Sequence, residues 1–254
     1  MQLRSRPHCF RLRFEAPALA IGLSIASCAH YTSLSAEDRQ GLQRELTREQ
    51  ADRFLRLSYY VTPFFGDSSK RLLTPTPPGE LHLVNDSGQR VRPGGVERVL
   101  PAGTTVRVLK VEFPTAWAVA HRPVDTPRSL PWVYLQTTPN PSSTPLILLL
   151  PSHIDSVDMF KAELDLYASV SDPSASLSRW SEPIREAVRT KNAIPDMPDD
   201  ALEMAWGYPE RKRVSYEGST RNEEWIYSGG ARVAYLVDSR LSTWSARPRS
   251  ERAP

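Results

Sequence analysis

The 254-residue chain has only two cysteines, Cys9 and Cys28, and five histidines, at positions 8, 30, 82, 121 and 153. None of these forms the spacing with another histidine or a thiolate that a metal site requires. A Gly-x-Ser-x-Gly nucleophile elbow is missing. Gly94-Gly95 and Gly229-Gly230 lack the spacing and the following Lys-Ser/Thr of a phosphate loop. The carboxylate pairs Asp199-Asp200 and Glu223-Glu224 are adjacent in sequence. Catalytic carboxylates must instead converge across a cleft. The expectation is therefore no enzyme, no cofactor and no metal. Apolar runs are short as well. Leu146–Leu150 is five residues between two prolines, a buried strand and far below the roughly 20 residues that cross a bilayer.

What the chain does have stands at its beginning. Arg4, Arg6, Arg11 and Arg13 form a basic head, and Ala16 to Ile25 is apolar apart from Ser24. Small residues then lead into Cys28. A positive region, a short apolar region and a small-residue cleavage point describe an export signal. The segment Ile25-Ala26-Ser27-Cys28 resembles a bacterial lipobox. That resemblance implies cleavage between Ser27 and Cys28, a diacylglyceryl thioether on the sulfur and a further acyl group on the new amino terminus. Ala29 follows where some bacteria place an aspartate that retains lipoproteins at the inner membrane, so an outer-membrane address facing the periplasm is expected.

Processing changes the charge. The whole chain has 32 Lys+Arg against 29 Asp+Glu, and residues 1–27 take away four Arg and Glu15, leaving 28 of each sign. A balanced mature chain speaks against a nucleic-acid partner, which needs a concentrated basic excess. With Cys28 acylated no disulfide can form, so stability must come from apolar burial.

Along the rest of the chain the pattern predicts an α+β protein in several pieces: a signal peptide over 1–27, a lipidated tether with a helical segment over 28–79, a β domain over 80–150, an α+β domain over 151–244 and a tail over 245–254. Ser35 can cap a helix with Glu37 and Asp38 in its first turn, and Leu42, Leu46, Phe54, Leu55 and Leu57 give it an irregular apolar stripe. The 23 prolines cluster at Thr74–Pro78, a stiff spacer, and at Pro139-Asn140-Pro141. Beyond Glu80 the period falls to two. Val106, Val108 and Lys110 are expected to share one face, and Trp117–Ala120 and Trp132–Leu135 read as strands. The Leu-Pro-Ala-Gly-Thr segment at 100–104, feeding a β-branched strand, resembles bacterial SH3-like barrels. It implies a small barrel with Trp117, Trp132 and Tyr134 as exposed aromatics.

Ile154, Val157, Phe160, Leu164 and Tyr167 then fall at helical spacing, with Asp155 or Ser156 as cap. Ser181-Glu182-Pro183 opens another helix. Asp199-Asp200 starts a short one that stops at Gly207, taken to be left-handed, with Pro209 preventing resumption. Three strands follow, Arg213–Glu217, Glu223–Ser228 and Ala231–Val237. Met197, Gly207-Tyr208-Pro209, Trp225-Ile226-Tyr227 and Asp238-Ser239-Arg240-Leu241 together resemble the small outer-membrane lipoproteins of the BamE/SmpA type. The resemblance implies helices packed on a three-stranded antiparallel sheet, structural roles for Met197, Gly207, Pro209, Trp225 and Tyr227, and a place near outer-membrane protein assembly. Two residues depart from that pattern: Asp196 and Ser239 stand where the family has glycine.

These readings combine into a non-enzymatic envelope protein. It is held to the membrane by a lipid on Cys28 and presents interaction modules to envelope proteins. The alternative is a peptidoglycan-binding lipoprotein acting through the SH3-like region.

Overall fold

The computed structural model describes residues 31–48, 52–139, 141 and 144–246. The expected signal segment over 1–27, Cys28, His30 and residues 247–254 lie outside the described residues.

The architecture corrects the expected division into a helical segment, a small SH3-like barrel and helices on three strands. Sheet dominates. One mixed eight-stranded sheet runs in the order β10-β1-β7-β8-β9-β3-β2-β6. Its strands are β1 (Arg53–Leu55), β2 (Tyr59–Phe64), β3 (Asp67–Thr74), β6 (Arg98–Leu100), β7 (Thr105–Glu112), β8 (Trp132–Thr137), β9 (Leu146–Leu149) and β10 (Ala168–Ser169). The strands expected to close a barrel over 80–150 instead share this sheet with β1, β2 and β3. All pairings are antiparallel except β3 with β9, where Leu72 lies opposite Ile147.

The reason is in the apolar run. Leu146, Ile147 and Leu148 are all buried, so β9 needs cover on both faces. On one face Leu146 and Leu148 join Tyr59, Val61, Leu73, Val133 and Leu135 beneath α1 (Ala36–Arg48) and α3 (Val157–Tyr167), which contribute Leu42, Phe160 and Leu164. On the other face Ile147 meets Phe64, Leu72, Trp132 and Tyr134. Above them lies a hairpin of β4 (Leu83–Val84) and β5 (Arg90–Val91), with Leu83 and Val91 against this cluster. Alternate residues of each strand thus serve two different cores.

Several local expectations change for identifiable reasons. Phe54 and Leu55 belong to β1, not to a helical stripe. In β7 the register shifts between Val108 and Lys110, so Val111 rather than Lys110 rejoins Val106 and Val108 in the core. Trp117–Ala120 lies in a helix, α2 (Ala116–His121), because Thr115 accepts a hydrogen bond from Ala118 N and caps it. Ser156 caps α3 by accepting from Met159 N. Trp132 and Tyr134 are buried, not exposed.

The second sheet has four strands, not three: β11 (Arg211–Glu217), β12 (Thr220–Tyr227), β13 (Arg232–Val237) and β14 (Arg240–Ala246), in that order. Between the sheets run α4 (Ser174–Ser178), α5 (Glu182–Thr190) and α6 (Asp199–Trp206). Ala187, Val188, Leu202 and Ala205 on α5 and α6 pack with Trp225, Tyr227, Ala234, Leu236 and Leu241 of the sheet.

The turn between β13 and β14 explains the fourth strand. Asp238 and Ser239 both have positive φ, 46° and 63°, the pair of left-handed residues that a two-residue hairpin turn uses. Ser239 carries a side chain where glycine would be free of strain, at a cost of about 1–2 kcal/mol. Glycine's greater freedom in the unfolded chain returns about 0.5–1 kcal/mol of that. Ser239→Gly is expected to stabilise the protein by about 0.5–1 kcal/mol, read as a higher denaturant midpoint. A lower midpoint would show that the turn relaxes by another route.

Candidate functional site

The two sheets are joined by buried polar contacts that centre on Ser58. Its amide donates to Met204 O at 2.7 Å, and its hydroxyl donates to Val188 O at 2.6 Å and accepts from Ala102 N at 3.0 Å. Lys191 follows α5 with φ of 60° and is buried. Its Nζ donates to Ser58 O at 2.6 Å and to Ala205 O at 2.5 Å. Burial pushes this amine well below the usual lysine range, and the nearby Arg232 adds to the effect. Two acceptors need only two protons, so a neutral amine can serve both. Arg232 bridges in turn to Glu80 at 2.8 Å and lies over the Trp206 ring. These residues hold the body together around carbonyls at the ends of α5 and α6.

A second buried cation works the same way. Arg122 lies over Trp132 at 4.0 Å and donates to the carbonyls of Arg128, Leu130 and Glu112 at 2.6–2.8 Å. Burial lowers its pKa to about 10. It fastens the long β7–β8 connection to the sheet.

Met197, Gly207, Pro209, Trp225 and Tyr227, which carry the BamE/SmpA-type resemblance, lie in or next to α6 and the four-stranded sheet. Met197 is fully buried, and its carbonyl accepts from Leu241 N. Gly207 ends α6 with φ 91° and ψ −177°. That is an extended positive-φ conformation rather than the left-handed helical one expected. An added Cβ there would lie 3.0 Å from Pro75, so the position needs glycine for space as well as conformation. Pro209 stands in the connection that follows. Trp225 is buried, with Nε1 donating to Glu223 Oε2 at 3.1 Å and Lys212 Nζ 3.8 Å above its ring. Tyr227 packs edge-on to Trp206 at 5.5 Å. Its hydroxyl finds no hydrogen-bond partner among the described residues, and burial raises its pKa.

Among the described residues no histidine joins a cluster of acids or thiols that could hold a metal ion. His82, His121 and His153 are all exposed. Among the described residues no three His, Cys, Asp or Glu side chains could share a metal ion, and no helix is long and apolar enough to cross a membrane.

The surface left open by this packing is the far side of the four-stranded sheet. With Glu223, Trp225 and Tyr227 turned to the helices, Asn222, Glu224 and Ile226 face outward, beside Val233, Tyr235 and Val237 of β13. Tyr235 and Val237 are 40% and 39% exposed. A shallow groove of about 400 Å³ runs here between Arg213, Ser215 and Asn222 on one side and Tyr235, Val237 and Ser242 on the other. Arg213 pairs with Glu224 at its wall, at 2.8 Å. The sheet then ends at β11, whose seven residues are all exposed, Tyr216 at 70%. A free strand edge beside an aromatic and aliphatic face can take an added strand or a packed chain.

Sequence reasoning placed Trp225 and Ile226 on opposite faces of one strand. It missed Ser58, Lys191, Arg122 and Arg232, whose local surroundings read as ordinary polar loops and helix ends. No family model, curated protein or solved structure matches the chain.

Proposed function

We propose that this protein is an envelope lipoprotein, cleaved before Cys28 and acylated on it, that faces the periplasm from the outer membrane. It acts without catalysis, by offering the outer face and free edge of its C-terminal sheet to a protein partner. The observation that carries this reading is the exposed groove of Tyr235, Val237 and Asn222 beside the fully exposed β11. Aromatic and aliphatic side chains ringed by an Arg–Glu pair suit a protein surface, where tyrosine and arginine are the usual anchors.

A place near outer-membrane protein assembly is what the BamE/SmpA-type resemblance adds. Two backbone angles support carrying it over. Asp196 and Ser239, the residues that depart from the family's glycines, both have φ of 63°, the conformation glycine would supply at those points. The cell-wall alternative rested on an SH3-like barrel and three exposed aromatics. The barrel is replaced by the large sheet, and of the three aromatics only Trp117 is exposed.

A photoreactive residue at position 235, in intact envelopes, is expected to give a discrete protein adduct. Val237→Lys should abolish it without changing the melting temperature. Tyr235→Ala should weaken the purified complex by about 2 kcal/mol, roughly 30-fold in Kd. An adduct pattern at position 235 that matches one from exposed Met159 on α3 would overturn the reading.

A further inference from the structure

We infer that α2 and the turn after it form a membrane-contact patch, in which Trp117, Ala120 and Val124 enter the head-group layer of the lipid surface that holds the N-terminus. This rests on the lipoprotein reading and adds a second, non-covalent contact to the covalent one.

Three observations carry it. The first is composition. Trp117 is 71% exposed and Val124 67%. Ala116, Ala120, His121 and Pro123 are exposed between and beside them. From Phe113 to Val124 the one formally charged residue is Arg122, whose guanidinium is turned inward onto Trp132 and three backbone carbonyls. The face therefore shows water an indole, aliphatic groups and an imidazole, with no Lys, Arg, Asp or Glu side chain until Asp125.

The second is rigidity. The His121 ring stacks on the indole at 4.2 Å and 23°, and its Nδ1 donates to Trp117 O at 2.7 Å. The indole is held outward rather than free to fold back. Tryptophan, with an apolar body and one donor, settles at the boundary between head groups and acyl chains.

The third is the length and entry point of the tether. Thr32 N donates to Pro114 O at 2.9 Å, and Leu34 is already seated in the core. Pro114 is three residues before Trp117, so the chain coming from the anchor enters the body beside α2. Four peptide steps separate Cys28 from Thr32, a reach of at most about 14 Å. An acylated Cys28 lies at the membrane surface. The head-group layer itself is about 5–7 Å deep on each side. A tether this short keeps the α2 end of the body within contact of the bilayer, and the apolar face is at that end.

The test uses acylated full-length product, extracted from membranes and reconstituted into phosphatidylcholine vesicles brominated at shallow acyl positions. The expected result is a bromolipid-quenched component of the tryptophan emission that disappears in Trp117→Phe, and that Val124→Asp reduces at least several-fold. Equal quenching in the wild type and Trp117→Phe would overturn the patch. So would quenching of the Trp117 component by acrylamide in water but not by bromolipid. The mass of the N-terminal peptide reads the lipoprotein proposal separately. If Cys28 carries no acyl group that proposal fails, and the Cys9→Ser chain coupled through Cys28 to a maleimide-headed lipid then tests the patch by the same difference.

Discussion

Trp225→Ala is expected to destabilise the protein by about 3–5 kcal/mol, the usual result of deleting a large buried ring. Trp225 is 1% exposed at the centre of the cluster formed by α5, α6 and the four-stranded sheet. The cavity would open beneath Lys212, whose Nζ lies over the ring, and beside Ala234, the cross-strand partner of Trp225, which has little side chain to fill it. A second cost follows from the lost indole donor, because it leaves the buried Glu223 with Arg221 alone, at 3.2 Å from Oε2, while Oε1 finds no partner among the described residues. Against a total stability of roughly 5–15 kcal/mol, the change would remove a fifth or more of the stability. Trp225→Phe keeps most of the ring and should cost less. A thermal melt of each variant checks both expectations. An unchanged melting temperature in Trp225→Ala would show that the ring is not part of the core.

The second large effect concerns the anchor. Cys28→Ala is expected to remove all incorporation of labelled fatty acid and to move any processed protein from the membrane fraction to the soluble one. Each buried methylene contributes about 0.8 kcal/mol, so one acyl chain binds marginally while three hold a protein effectively for good. The exposed face around Trp117 is one indole with a few small aliphatic groups, and it is not expected to retain the variant alone. Labelled fatty acid found in Cys28→Ala at the wild-type level would sink the lipoprotein proposal.

Much of the local structure was legible, and the limits of legibility have physical causes. α3 follows from Val157, Phe160 and Leu164 at helical spacing, because a helix with one buried face must repeat that way. β12 follows from Trp225 and Tyr227 two apart for the same kind of reason. Trp117-Ala-Val-Ala is too short to separate a period of two from a helical turn, and the deciding contact is the Thr115 cap. The register shift in β7 left no mark, since Leu109 and Lys110 suit an exposed strand either way. Hardest to read was which strands pair. Arg71 opposite Leu146 is a parallel pairing between distant segments, and nothing in either segment names the other. A small barrel was therefore the economical expectation where one large sheet exists. The candidate groove was half visible: β11, β12 and β13 could be read as strands with Trp225 and Tyr227 on the packed face, but the fourth strand that completes the groove could not.

The strand order carries a consequence for how the chain must be handled. β1 lies between β7 and β10, and Arg53 Nη1 donates to Ala168 O, 115 residues away. The edge of the sheet is therefore closed by a segment made long after the strand it protects. A chain emerging amino end first carries Leu55, Tyr59 and Val61 exposed until that late segment arrives, a slow and aggregation-prone topology. Ser58 waits longer still for Val188, Met204 and Lys191. A truncation before β10 would leave both the open edge and the unmet polar groups, and one between β10 and α6 would still leave the Ser58 amide without Met204 O. Deletions that end before α6 would therefore report lost packing together with any lost binding, so point substitutions on intact chains are the cleaner way to locate where a partner binds.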